Sequence, residues 1–235
     1  MNLLIPDKWL RDFILTSASP DEIAKDVSLC GPSVERVIKS EYGPVYSVEV
    51  TGNRIDPASV YGFAREVGAI LPRFGQKATF KEIKIKEPKL VKDVSYLKVE
   101  LDSNLCSHFT AVLIKNVVQG ESPDWLKERL IAVGARPINN IVDISNYVMH
   151  ETGQPIHTFD YDKILGQTMI LRESKKGEVI TTLDGVKRKL PGGDIVIQDG
   201  KGRLIDLCGI MGGTLSAVDA TTKNVLLFVQ TYNPQ

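Results

Sequence analysis

Long apolar runs are absent from this sequence. No stretch approaches the about 18 consecutive apolar residues of a membrane-spanning helix. The opening MNLLIPDKWLRDFIL is broken by Pro6, Asp7 and Lys8, too early for a signal-peptide core. Cysteine is scarce: Cys30, Cys106 and Cys208 are an odd count with no C-x-x-C pair, which argues against a disulfide framework or a structural zinc site and fits a reducing compartment. Neither sign of charge predominates, with 29 Lys plus Arg against 29 Asp plus Glu, so no global field draws the chain to nucleic acid or an anionic membrane, and any RNA contact must be local. Repeats, a Gly-x-Gly-x-x-Gly fingerprint, a phosphate-binding Gly-Lys-Ser/Thr loop and a Gly-x-Ser-x-Gly elbow are also missing, which leaves nucleotide cradling and a serine nucleophile without support. The expectation is a cytoplasmic protein with no membrane partner.

What is present is ample core material, 43 % hydrophobic residues in 235, enough for one large domain or two ordinary ones. SASPDEIAKDVSLCG predicts a helix with Ser19 as cap, Pro20 at the first position and Gly31 at the end. YSVEVTG predicts a strand. DPASVYGFAREVGAIL predicts a helix capped by Asp56, with Val60, Ala64, Val67 and Leu71 on one face. KATFKEIKIKEPKLVKD alternates Ile83 and Ile85 with lysines that could touch phosphates or, as on an edge strand, resist aggregation. A domain boundary is expected near residue 92, giving a small mixed domain over 1–92 and a larger one over 93–235. In the second, strands at YLKVEL and FTAVLIKNVV precede a helix at SPDWLKERLIAVG, with Ser122 as cap, and another over residues 139–153, with Ile141, Ile144 and Val148 inward. Two hairpins follow, the first turning at Asp184-Gly185. The fold class is α+β, built on antiparallel sheet.

Three features could carry chemistry. Asn139, Asp143, Asn146 and His150 fall near one helical stripe, while Asn140 and Ser145 add polar groups elsewhere, and such groups need partners or a ligand. His157 follows the Gly153-Gln154-Pro155 turn, whose proline restricts its approach; Asp160 is placed to orient it. CGIMGG, residues 208–213, lets bare backbone come close to something, either in a tight turn or with N–H groups facing a ligand carbonyl. His150, His157 and Asp160 match no usual metal-ligand spacing, so no metal is expected.

ARPINNIVDISNYVMHETGQPIHTFD closely resembles the editing-domain signature of the phenylalanyl-tRNA synthetase β subunit family. TGNRIDPASVYGFAREVGAIL is similar to that family's N-terminal B1 domain, LDGVKRKLPGGDIVI and LCGIMGG to later editing segments, and SAVDATTKNVLLFVQTYNP to the domain exit. The resemblance implies a B1-like domain followed by a B3/B4 editing domain that hydrolyses tyrosine wrongly attached to the tRNA for phenylalanine. A phenylalanine pocket rejects an added hydroxyl by only about 10²-fold, which is why a second site is needed. Carried over by position, Asn146 and His157 are the catalytic candidates, while Ser145, Pro155, Cys208, Gly209 and Phe228 line the substrate. Water attacks the ester carbonyl, amides near Gly209 stabilise the oxyanion, and Asn146 with His157 positions the substrate. One departure stands out: where bacterial relatives read LLESA, this chain reads LLFVQ, so Phe228 occupies the place of a glutamate that helps recognise the tyrosine hydroxyl. The resemblance therefore also allows a scaffold with a vestigial pocket that docks the α subunit and tRNA. It further implies a fragment lacking the OB-fold insertion and the C-terminal domains, an α₂β₂ assembly for the full protein, and no cofactor here; ATP and magnesium are expected only for aminoacylation by the complete synthetase.

Overall fold

The chain divides into two units and crosses between them three times: Met1–Pro88 joins Glu121–Pro155, and Lys89–Gly120 joins Ile156–Gln235. A computed structural model describes residues 2–86 and 96–233. The boundary expected near residue 92, and the lysine-rich segment beyond residue 86, lie outside the described residues.

The first unit contains β1 (Asn2–Pro6), α1 (Asp7–Leu10), β2 (Ile14–Thr16), α2 (Pro20–Cys30), β3 (Ser33–Ser40), β4 (Gly43–Glu49), α3 (Val60–Ile70) and β5 (Ala78–Phe80), followed by α4 (Asp124–Ala132) and α5 (Asn140–Thr152). A three-stranded sheet in the order β1-β4-β3 and a β2-β5 pair carry the helices. The α2 start is as expected: Ser19 accepts from the Glu22 amide while the Glu22 side chain caps in return. At α3 the cap moves, because the Ser59 hydroxyl accepts from the Gly62 amide, leaving Asp56 to pair with Arg54. The expected face of Val60, Ala64, Val67 and Leu71 is fully buried. Residues 81–86 form no strand, so the lysine-bearing edge ends with β5.

The expected contiguous division into 1–92 and 93–235 differs from this arrangement because α4 and α5 belong to the first unit. Aromatic stacking explains their place. Tyr147 of α5 lies flat on Trp9 at 4.6 Å, and the Trp9 indole donates to Glu151 at 3.0 Å. Arg129 of α4 sits 5.3 Å over the Trp9 ring and donates to Asp12 at 2.6 Å. Ser122 does not cap α4; its hydroxyl donates to the Asp143 carboxylate at 2.5 Å.

The second unit contains β6 (Lys98–Leu101), β7 (Cys106–Ile114), β8 (His157–Asp160), β9 (Thr168–Glu173), β10 (Val179–Thr181), β11 (Lys187–Lys189), β12 (Ile195–Asp199), β13 (Leu204–Leu207), β14 (Met211–Gly212) and β15 (Val225–Tyr232). Its sheets are β14-β13-β12-β9-β6, β7-β15-β8 and the β10-β11 hairpin, antiparallel except where β6 pairs with β9. Phe159, Leu226 and Phe228 from one large sheet meet Met169, Leu171, Ile197 and Ile205 from the other in one core. The fold is mixed helix and antiparallel sheet, as its hairpins and amphipathic helices predict.

Candidate functional site

His157 opens β8, the edge strand of its sheet, directly across the ladder from Phe228 of β15. Its ring meets Phe159 edge to face at 4.5 Å, and among the described residues no hydrogen bond reaches either ring nitrogen. The other side of the ring rests on β14, the edge strand of the five-stranded sheet. A Cβ built on Gly212 would stand 2.4 Å from His157 Cε1 and 2.6 Å from Nε2, and 3.3 Å from Leu183 Cδ1. Bare backbone is therefore what allows this imidazole its position. Leu183, in the turn of the β10-β11 hairpin, is tied to β14 by its amide donating to the Gly212 carbonyl at 3.0 Å, and its side chain stays half exposed. An apolar lip thus stands beside an uncommitted imidazole edge.

Behind this edge the interior is polar. Asp206 on β13 lies opposite Gly212 and is buried. The Cys208 thiol contacts the Asp206 carboxyl on one side and the Tyr232 hydroxyl on the other, and Gln230 Nε2 donates to Tyr232 Oη at 2.7 Å. Burial pushes the Cys208 thiol and the Tyr232 hydroxyl up from their ordinary values, so both stay protonated at neutral pH and Cys208 is no thiolate nucleophile.

The residues singled out in the sequence divide between the units. Ser145, Asn146 and Pro155 lie in the first, and His157, Cys208, Gly209 and Phe228 in the second. On α5, Asn139 caps the helix and Asp143 accepts from Ser122 and from the Ile138 amide at 2.8 Å, so both serve the fold. The Ser145 hydroxyl donates to the Val142 carbonyl at 2.7 Å, back into its own helix. Asn146 is half-buried and its side chain makes no hydrogen bond among the described residues. Ile144, expected inward, is 55 % exposed, while Ile141, Asp143 and Ser145 are buried. Pro155 is exposed at the end of the first unit. Gly209 turns the chain with φ 71° and is exposed, while Cys208 is buried in the core. Phe228 is wholly buried, with its ring 4.8 Å from Phe109 and 5.6 Å from Phe159, so it fills the core. Asp160 does not orient His157; it accepts from Thr222 Oγ1 at 2.7 Å and holds Lys163 at 3.4 Å.

His157 and Asp206 pull stability in opposite directions with pH. Burial lowers the imidazole to about 4 from an ordinary 6.5, so its contribution is present above 6.5 and lost as pH falls through about 4. Burial pushes the Asp206 carboxyl up from 3.8 to about 7, so its contribution is present below 3.8 and lost as pH rises through about 7. The two offset each other between about pH 4 and 6.5. In Asp206→Asn, stability read from denaturant midpoints should climb more steeply with pH across that window. In His157→Phe it should decline instead; profiles parallel to the parent in both variants would refute this account.

The sequence profile of the B3/4 domain family matches residues 105–235, more than half of the chain. The chain belongs to the B3/4 domain family. This B3/4 protein is 45 % identical over 208 residues to the phenylalanine–tRNA ligase beta subunit of Dehalococcoides mccartyi strain CBDB1, covering 85 % of this chain and 24 % of that one. It is 40 % identical over 200 residues to the beta subunit of Porphyromonas gingivalis, covering 84 % and 24 %. The B3/4 protein thus spans about a quarter of the length of these curated relatives. Its fold is similar to the crystal structure of an N-terminal fragment of the phenylalanyl-tRNA synthetase beta subunit from Pyrococcus horikoshii, with a TM-score of 0.50 at 15 % identity over 98 % of this chain and 68 % of that one. At that identity the likeness is one of fold. Among the described residues no helix is long and apolar enough to cross a membrane.

Sequence reasoning missed Gly212, Leu183, Asp206 and Gln230. The glycine cluster 208–213 signals close backbone approach but not which glycine or which neighbour. The alternation of Phe228, Gln230 and Tyr232 along β15 is the one local sign that these three share a face.

Proposed function

We propose that this B3/4 protein is an editing module of a phenylalanine–tRNA ligase β subunit: it hydrolyses the ester that joins a wrong amino acid, tyrosine, to the tRNA for phenylalanine. The observation that carries this reading is the His157 imidazole, half-buried at the edge of its sheet, held against the bare backbone of Gly212 and with no hydrogen bond to either ring nitrogen among the described residues. A ring kept neutral at pH 7 by burial can accept or donate a hydrogen bond without bringing a charge into the site. It suits orienting water or a substrate hydroxyl for attack on the ester carbonyl. The Gly209 amide, exposed at its turn, supplies a donor for the oxyanion; the part of Asn146, which lies in the first unit, is carried by the sequence resemblance alone. The α subunit and the tRNA are the partners this reading calls for, in an α₂β₂ enzyme acting in the cytoplasm. ATP and magnesium belong to aminoacylation by the complete enzyme.

Deacylation of tyrosyl-tRNA, with phenylalanyl-tRNA as control, tests the proposal. His157→Ala and Asn146→Ala should each lower the tyrosyl rate by roughly 10²-fold or more while melting near the parent temperature. Unchanged rates in both would sink the assignment. A second reading, a docking scaffold with a vestigial pocket, draws on Phe228, which puts a core aromatic where relatives of this type carry a glutamate. Binding of tRNA and α subunit with no deacylation selects it.

A further inference from the structure

The lysines of the β10-β11 hairpin form a face that the fold does not use. Residues 172–189 hold six lysines and arginines against three acids, in a chain of zero net charge. Two of those acids are spent: Glu178 is gripped by Arg172 at 2.7 and 2.9 Å, and Asp184 by Arg188 at 2.6 Å. Lys175, Lys176, Lys187 and Lys189 are exposed, and none makes an ion pair among the described residues. The register sets the hairpin lysines on one side. Val179 lies across from Lys189 and Thr181 from Lys187, so these four side chains leave the hairpin on the face opposite buried Ile180. Lys187 and Lys189, two residues apart on a strand, are about 6.8 Å apart, close to the step between successive phosphates of a nucleic acid strand. The Lys189 stem lies over Gly177, where a Cβ would stand 3.9 Å from the Lys189 Cε, next to Lys176 in the chain. A hollow of about 450 Å³ opens along the same face, lined by Val179, Thr181, Lys187, Arg203, Leu204 and Leu215. Arg203 is committed to Asp199 at 2.7 Å and to the Lys163 carbonyl at 2.7 Å, so of these six Lys187 is the cation left to a ligand. None of the six is aromatic, so a sugar and base seated there are held by apolar contact, and phosphate contacts carry no sequence information.

We propose that the outer face of the β10-β11 hairpin binds the phosphate backbone of a single RNA strand, with Lys187 and Lys189 on successive phosphates and a nucleoside over the hollow. The place of this face on the fold gives the strand a direction. Leu183, two residues past Thr181 on the same hairpin, borders the His157 site, while Lys175 and Lys176 stand at the far end. A strand laid from Lys176 toward Lys187 therefore arrives with its last nucleotides at the hairpin turn. This inference rests on the ester-hydrolase reading, in which the ester is carried on such an end. Neutralising several phosphates releases their counterions, so the binding is steeply salt-dependent.

Fluorescence anisotropy of a labelled RNA hairpin with a single-stranded 3′ tail and no amino acid attached, titrated with the full 235-residue chain, tests the surface. Lys187→Gln with Lys189→Gln should lower affinity by about tenfold or more at moderate salt and reduce the salt slope by about 0.7 for each lysine removed. Lys25→Gln with Lys39→Gln, which takes the same charge from the exposed surface of the first unit, should change little. With tyrosyl-tRNA the hairpin pair should raise KM and leave kcat near the parent. Equal effects of the two pairs, equal binding of the blunt duplex without its tail, or no RNA binding by the parent overturns the proposal. So does loss of binding to vesicles of anionic phospholipid with RNA affinity intact, which would assign the face to a membrane. In each of those cases deacylation by the parent keeps the ester reading standing. A parent that binds RNA as expected and deacylates nothing sinks the ester reading and leaves the surface in place.

Discussion

On the proposed ester-hydrolase reading, Gly212→Ala should abolish most of the deacylation of tyrosyl-tRNA while leaving the protein folded. The added methyl would lie 2.4 Å from His157 Cε1 and 2.6 Å from Nε2, closer than carbon atoms approach one another. The imidazole is the far end of a side chain, so it can swing away at modest cost to stability. It cannot stay, because Phe159 already occupies the opposite flank at 4.5 Å. Displacing a positioning group by about 1 Å costs about 10²-fold in rate, and a drop of that size is the expected reading on tyrosyl-tRNA. The neighbouring Gly213→Ala makes the contrast. There the methyl would stand 2.8 Å from the Ile205 carbonyl oxygen, which is backbone and cannot rotate aside. That variant should lose stability by about 1–3 kcal/mol. Equal rates for Gly212→Ala and the parent would show that the position of His157 does not matter to the reaction.

Phe228→Glu should unfold the second unit. The Phe228 side chain is wholly buried between Phe109 and Phe159, so the exchange removes an aromatic worth about 3–5 kcal/mol and adds a carboxyl with no solvent. Burial would raise the new carboxyl above its ordinary range, so its penalty grows as pH rises through the shifted value and shrinks in acid. Chemical denaturation at pH 7 and pH 5 should show a loss of about 4 kcal/mol or more at the higher pH and a smaller one at the lower. Phe228→Leu, which keeps the site apolar, should cost only about 1 kcal/mol. A stable glutamate variant at neutral pH would mean that His157 or another neighbour supplies a partner for the charge.

Local sequence determined much of this protein. The Ser19 and Glu22 capping box, the buried face of Val60, Ala64, Val67 and Leu71, the Asp184-Gly185 hairpin and the β12-β13 hairpin depend on residues within a few positions of each other, so the spacing in the chain carries them. The family, too, was legible, because the signature from Ala135 to Asp160 is long and the profile match covers the same ground. Local reading failed where one side chain serves a distant partner. Ser122 gave up its cap for Asp143, Ser59 took the cap from Asp56, and Ile144 lies at the surface. The two units could not be read as consecutive stretches, since what assigns α4 and α5 to the first is the stacking of Tyr147 and Arg129 on Trp9, more than a hundred residues away in the chain. Only the tertiary structure decided the site's character. The contact of Gly212 with His157 joins the edges of two different sheets. Such a contact depends on three-dimensional proximity, which is not written in the spacing of residues along a chain.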